Sequence, residues 1–268
     1  MPLAVCATPI GNLEDVTLRV LRELTETELV LCEDTRHTRK LLERHGIRVA
    51  RLLSYHEHNE AKRTAEVLPR LRDGARVALV SDAGLPGIND PGERLIVAAR
   101  DEGVPVTVLP GPSAVESALV ASGLVSDRYQ FVGYLPRGER ALQELGEELA
   151  RWPWSVVAFE SPQRLPRALS VLARVDPERP AAVCRELTKR FEEVAIGTVA
   201  ELASRFSQAP RGEVTIVLGP TQATATDEGT AAEAVAELVE AGVPRRQAAE
   251  VVARLTGVAR NRLYRSSL

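Results

Sequence analysis

Cysteine is scarce in this chain: Cys6, Cys32 and Cys184 stand far apart, each inside an apolar run. A small hydrophobe fits such positions better than a metal ligand, and the three thiols are expected in the core. Long hydrophobic runs are missing as well. No stretch of about 18 apolar residues occurs, so no membrane-spanning helix is predicted, and "MPLAVCATPIGN" lacks the basic segment and apolar core of a signal peptide. A cytoplasmic protein is therefore expected. Charge of one sign is absent too, the net charge being −3. That sum predicts no nucleic-acid partner, although a local cluster still can.

The familiar ligand motifs are also lacking. There is no G-x-x-x-x-G-K-[ST], which argues against a P-loop nucleotide site, and no G-x-G-x-x-G after the first strand, which weakens a nicotinamide or flavin reading. No G-x-S-x-G elbow occurs. His37, His45, His56 and His58 form no zinc pattern, and "YHEHNE" reads as a polar loop before a helix; no metal is expected.

What the chain does have, across 268 residues that are 44% hydrophobic, is alternation. Short apolar runs rich in β-branched residues alternate with longer amphipathic stretches, the pattern of an α/β protein with largely parallel sheets. Strands are expected near 3–8, 28–32, 50–54, 76–81, 105–109, 129–134, 154–159, 180–185 and 213–218. Helical patterns cover 14–25, 36–45, 60–73, 92–102, 113–122, 139–150, 162–174 and 198–207. The rhythm changes after Gly123, so an N-terminal α/β domain over 1–123 and a C-terminal one over 124–220 are predicted. After the polar "PTQATATDEG" a helical extension over 227–268 follows, whose second half carries Arg245, Arg246, Arg254, Arg260, Arg262 and Arg265 against the single acid Glu250. Two readings of that basic end stand side by side, a solvated helix pair and an RNA-contacting surface.

Three loops at strand ends are rich in glycine, proline and small residues: "ATPIGNLED", "SDAGLPGINDPG" and "VLPGPSAVESAL". In an open parallel sheet, ligands bind beyond the carboxyl ends of the strands, where all three would converge. Together they argue for one sizeable ligand across the sheet edge. Asp82 and Asp90 either hold a ribose hydroxyl or an amine, or cap turns. Two further clusters sit at strand ends: Glu33, Asp34, Thr35 and Arg36 in "CEDTR", and Arg185, Glu186, Thr188 and Lys189 in "CRELTK". For these, a helix cap or ion-pair network stands beside a functional reading.

In order along the whole chain, "ATPIGNLEDVTLRVL", "CEDTRHTRKLL", "SYHEHNE", "VSDAGLPGINDPGERLI", "VLPGPSA", "FVGYLPR", "FESPQRL", "CRELTKRFEEVAIGT" and "GEVTIVLG" resemble the blocks of the ribosomal RNA small subunit methyltransferase I family, on the tetrapyrrole-methylase fold. The resemblance implies S-adenosylmethionine as cofactor, held in a cleft between the two α/β domains. It also implies a homodimer, and methylation of the ribose 2′-oxygen of a decoding-centre cytidine in 16S ribosomal RNA. Carried over by position, the cofactor would touch Pro9, Asp82, Ala83, Gly84, Leu85, Ser113 and Ala114, with Phe131, Glu160, Leu187 and Glu213 from the second domain. One position departs from the family: Gln163 stands where histidine is expected, and its amide supplies hydrogen bonds but no proton transfer.

The implied chemistry needs alignment of oxygen, carbon and sulfur, and removal of a proton from a weakly acidic hydroxyl; it demands no metal. Glu33 or Asp34 would accept the proton, and Arg36 or Lys189 would hold a phosphate or the developing alkoxide. Arg245, Arg246, Arg260 and Arg262 would contact the RNA. The alternatives are a methylase of the same fold acting on a tetrapyrrole, and a non-catalytic RNA-binding protein.

Overall fold

The computed structural model describes residues 2–221, 228–256 and 258–266. Five strands, β1 (Leu3–Cys6), β2 (Leu29–Cys32), β3 (Leu52–Ser54), β4 (Val77–Val80) and β5 (Val106–Leu109), form an all-parallel sheet in the order β3-β2-β4-β1-β5. β1, β2 and β4 are buried at every residue because helices cover both faces, which is why they read as unbroken apolar runs. The period-two alternation is still visible in the packing. Leu3, Leu29, Leu31, Val77 and Leu79 face helices α3 (Glu60–Arg72) and α4 (Glu93–Asp101). Ala4, Val30, Ala78 and two thiols, Cys6 and Cys32, face α1 (Leu18–Glu26) and α2 (Thr35–Arg44). All three cysteines are buried and free, and burial pushes Cys6 and Cys184 up to about 12 and Cys32 to about 11.

This strand order places a switch point between β1 and β4. The chain leaves β1 toward β2 on one side and leaves β4 toward β5 on the other, so the loops after β1 and β4 part and open a crevice. They are locked together at its base: Thr8 N–H donates to the Gly84 carbonyl at 2.8 Å and Gly84 N–H returns to Thr8 at 3.0 Å.

The second sheet corrects the expectation of largely parallel sheets. Its strands are β6 (Tyr129–Tyr134), β7 (Ser155–Glu160), β8 (Pro180–Arg185), β9 (Glu193–Thr198) and β10 (Val214–Leu218), in the order β6-β7-β10-β8-β9. Only β6 and β7 pair in parallel; the other three pairings are antiparallel. β9 was not expected at all. "EVAIGT" does carry the β-branched Val194, Ile196 and Thr198, but an acid, an alanine and a glycine interrupt them and the run is short, so the strand went unread; pairing with β8 along its whole length gives it its order. Helix boundaries moved as well: α1 starts four residues later than its apolar pattern, where the Thr17 hydroxyl accepts the Val20 N–H at 3.2 Å.

One face of the second sheet packs on α6 (Glu139–Ala150), α7 (Leu165–Val175) and α8 (Val199–Arg205). The other face receives α5 (Ala114–Ser122) from the first half of the chain: Val115, Ala118 and Leu119 pack with Val157, Ala182, Cys184 and Val217. That shared apolar cluster is what fixes one lobe against the other. A buried arginine braces the far end. Arg179, 3% exposed, donates to the carbonyls of Leu149, Trp152, Trp154 and Gly219.

The C-terminal part is helical: α9 (Glu228–Glu240), α10 (Arg245–Thr256) and α11 (Arg260–Ser266). They share a core of their own, Ala231, Val235, Ala248, Ala249, Val252 and Leu263. Of the polar stretch expected before them, residues 222–227 lie outside the described residues. No described helix is long and apolar enough to cross a membrane.

Candidate active site

The crevice at the switch point opens into a cavity of about 580 Å³ between the lobes. The loop after β4 contributes Ala83, Gly84, Leu85 and the run Ile88 to Asp90; the loop after β5 contributes Pro110 to Ser113 and the first turn of α5. From the second lobe come Tyr134, Phe159, Glu160 and the segment Gly212 to Thr215. The walls are largely apolar, with Ile10, Leu85, Val115 and Phe159, and their charged groups are all acidic: Asp90, Glu116, Glu160 and Glu213.

Several bonds fix these groups. Ser113 at the N-cap of α5 bonds the Glu116 carboxylate, which also accepts from the Tyr129 hydroxyl at 2.7 Å. Burial acts to raise the Glu116 carboxyl, but these two bonds outweigh it and hold it below the usual range. Glu160, at the end of β7, accepts from its own neighbour Ser161 N–H and from Arg164 Nε, both at 2.6 Å. Lys189 Nζ lies 3.0 Å from both Glu213 and Glu186. Burial pulls the Lys189 ammonium down, and its bonds to the two glutamates outweigh that and raise it. The same 186–190 segment clasps the first loop, since Asn12 N–H donates to Thr188 Oγ1 at 2.9 Å. Gly133, with φ +68°, brings the β6 backbone so close that a Cβ there would stand 2.9 Å from Asn89 Oδ1. The loop after β4 is thus pinned by the opposite lobe.

Of the residues expected to touch a cofactor, Ala83, Gly84, Leu85, Ser113, Ala114, Glu160 and Glu213 line the cavity. Four do not line it. Pro9 is buried between Thr8 and Ile10, and Phe131 stacks edge-on against Phe159 at 4.9 Å between ring centroids. Leu187 packs with Ile10 and Val115. The Asp82 carboxylate accepts the Asp34 N–H at 3.1 Å. Sequence reasoning missed Ile10, Val115, Glu116, Tyr134 and Thr215; the S-x-x-E spacing of Ser113 and Glu116 was the one available signal.

The acid-base candidates separate. Glu33 lines a second cleft of about 700 Å³ that adjoins the cavity and is rich in acids, Glu57, Glu60, Glu93 and Asp101 among them. Burial raises the Glu33 carboxyl, and Asp82 adds to this. Asp34 lines neither space. It is the N-cap of α2, where Oδ1 accepts from Arg36 N–H at 2.8 Å and Oδ2 from Arg36 Nη2 at 2.8 Å, and those bonds hold it down at about 2. Arg36 projects outward, its side chain 85% exposed. Gln163 is exposed just before α7. Of the basic candidates, Arg245 and Arg246 open α10, and Arg260 and Arg262 lie exposed on α11.

Comparison with known proteins agrees with this geometry. Residues 2–203 match the family model for tetrapyrrole (corrin/porphyrin) methylases. Ribosomal RNA small subunit methyltransferase I of Mesorhizobium japonicum is 44% identical over 99% of this chain and 91% of its own length. The protein of that name from Thermotoga maritima is 43% identical over 81% of this chain and 97% of its own. Among solved structures, the methyltransferase CobJ superposes with a TM-score of 0.63 at 18% identity, covering 82% of this chain and 94% of that one. Uroporphyrin-III C-methyl transferase from Thermus thermophilus, solved complexed with S-adenyl homocysteine, gives 0.58 at 19% identity, covering 81% and 96%. With the tetrapyrrole-methylase match covering the first sheet and the second as far as α8, and curated relatives matching nearly the full length, the chain belongs to the ribosomal RNA small subunit methyltransferase I family.

Proposed function

We propose that this chain transfers a methyl group from S-adenosylmethionine to the ribose 2′-oxygen of a decoding-centre cytidine in 16S ribosomal RNA. The observation that carries the reading is the cavity of about 580 Å³ at the switch point, apolar in its walls and acidic in its charges. It suits this cofactor on chemical grounds. Ile10, Leu85, Val115 and Phe159 offer surface to a purine and a thioether stem, loops 83–85 and 110–113 bring backbone polar groups to the wall, and the carboxylates favour a cation. When bound, the cofactor supplies a methyl group already activated on a sulfonium.

The chain's own groups then hold and orient. Asp82 fixes the loop that carries Ala83 to Leu85, and Lys189 steadies Glu213 at the cavity wall. The acidic cleft beside the cavity suits the neutral, donor-rich parts of a nucleoside, its hydroxyls and the cytosine amino group, better than phosphates. Phosphates would stay outside, on exposed Arg36 and on Arg245, Arg246, Arg260 and Arg262 of the helical part. In this reading residues 1–123 and 124–220 are the two halves of the catalytic body, residues 227–268 are its RNA-contacting extension, and the enzyme works as a cytoplasmic homodimer.

The test is transfer of label from S-adenosylmethionine to small ribosomal subunits from cells lacking the corresponding gene, with the product nucleoside identified by mass spectrometry. A labelled 2′-O-methylcytidine is expected. Binding of S-adenosylmethionine without transfer to any ribosomal RNA would overturn the substrate and keep the fold.

A further inference from the structure

The geometry points to Asp90 as the catalytic base, the group that takes the proton from the ribose 2′-hydroxyl. This rests on the proposed methyl transfer and names the residue that completes it.

Two spaces meet at this site, and the reaction needs both. The cavity between the lobes suits the donor; the acidic cleft next to it suits the nucleoside. Among the described residues only Asn89 and Asp90 line both. The reacting oxygen must pass from one space toward the other, so the acceptor of its proton belongs at that shared wall. Asn89 is an amide and accepts no proton. Asp90 is the one titratable group there.

Its placement is built rather than incidental. Asn89 sits in the left-handed region at φ +58°, a conformation asparagine tolerates better than other side-chain-bearing residues, and it turns the chain just before Asp90. The opposite lobe approaches closely here: a Cβ at Gly133 of β6 would stand 2.9 Å from the Asn89 side-chain oxygen. Pro91 stiffens the other flank of Asp90.

The electrostatics agree. Glu33 from the end of β2, Asp82 from the same loop and Tyr134 from β6 face Asp90. Glu57, Glu60, Glu93 and Arg94 line the cleft beyond it, with Arg94 paired to Glu60 at 3.3 Å. Burial pushes the Asp90 carboxyl up to about 6, Glu33 and then Asp82 add to this, and the Ser81 hydroxyl opposes it. A base poised there is mostly ionised at neutral pH and binds a proton far better than Asp34, held at about 2. In the step itself the hydroxyl proton moves to the Asp90 carboxylate. The ribose oxygen uses the freed electron pair to bond the methyl carbon, and the carbon–sulfur pair returns to sulfur, which becomes a neutral thioether. Glu33, confined to the cleft, acts by keeping the Asp90 proton affinity high.

The experiment has three readings on the full-length chain. Wild-type enzyme is first shown to form 2′-O-methylcytidine on small subunits; failure here removes the underlying reading, before any variant is made. Single-turnover rates are then followed against pH for wild type and Asp90→Asn, with S-adenosylhomocysteine binding measured by calorimetry. The variant should lose about 10²- to 10⁴-fold in rate while its dissociation constant stays within about threefold, and the wild-type rate should rise with pH through about 6. A variant that keeps more than about a tenth of the rate, or that loses only cofactor affinity, overturns the assignment. The third reading is independent of whether Asp90→Asn folds: ¹³C-carboxyl NMR of the cofactor-free wild-type protein should show Asp90 titrating well above the ordinary aspartate range. A side chain that titrates in the ordinary aspartate range, or a rate without that limb, overturns it as well.

Discussion

The backbone N–H of Asp34 donates to the Asp82 carboxylate at 3.1 Å, so the end of β2 is tied to the loop after β4 by one side chain. Asp82→Ala leaves that N–H without its partner and frees the loop. S-adenosylhomocysteine affinity should drop about tenfold and stability by about 1–3 kcal/mol. Asp82→Asn keeps an acceptor oxygen and should retain most of both, as calorimetric titration and thermal unfolding will show.

Gly11 marks where the lobes touch. A Cβ there would lie 2.6 Å from Lys189 Cγ and 2.9 Å from the Leu187 carbonyl, and the carbonyl cannot swing aside as a side chain can. Gly11→Ala should therefore shift one lobe against the other, at a cost of about 1–3 kcal/mol. Far-UV circular dichroism should stay native while cofactor affinity falls by about tenfold or more; unchanged affinity would mean the lobes tolerate the displacement.

Arg179 holds four carbonyls at once. Arg179→Met matches its bulk but leaves those acceptors without their donor, which should cost on the order of 3 kcal/mol. For a chain of this size that is a fall in Tm of about 6–12 °C, readable by scanning calorimetry. Activity at low temperature should survive, because the residue is remote from the cavity lining.

How much of this was legible beforehand depended on where the signal resides. β1, β2 and β4 declared themselves because strands buried on both faces need apolar side chains at every position. The three strand-end loops declared themselves because tight turns at a sheet edge need glycine and proline. β9 did not, since its order comes from pairing with β8 rather than from its own residues. Asp90 was visible as an acceptor, yet nothing local distinguished it from a capping aspartate. Its meaning comes from two spaces that meet only when residues far apart in the chain are folded together. Arg179 gave no signal at all: one arginine among many, it is singled out only by burial.

The raised Asp90 carboxyl also bears on stability. Its folded value of about 6 lies above the ordinary 3.8, so the native state binds the proton more tightly than the unfolded chain. That contribution is fully present below the unfolded value and is lost as pH rises through about 6. Relative to Asp90→Asn, wild type should lose stability across this window. The group is only partly buried, and solvent screening holds the effect to on the order of 1 kcal/mol. Denaturant unfolding at a series of pH values checks the sign.

Charge reversal on the helical part tests the RNA surface apart from the chemistry. Arg246→Glu with Arg260→Glu should raise KM for small subunits and flatten its salt dependence by about 0.7–0.9 in log–log slope per lost phosphate contact. S-adenosylhomocysteine binding should not change. An unaltered KM would assign RNA contact to the catalytic body instead.

The three buried thiols have a practical consequence. With Cys6, Cys32 and Cys184 enclosed and far above the ordinary thiol range, the native chain should ignore maleimides at neutral pH. Cysteines introduced at exposed Arg100 on α4 and Glu147 on α6 would then be the sites that take up dye. Energy transfer between them would report the separation of the two lobes in solution with and without S-adenosylhomocysteine, with no native cysteine removed to clear the background.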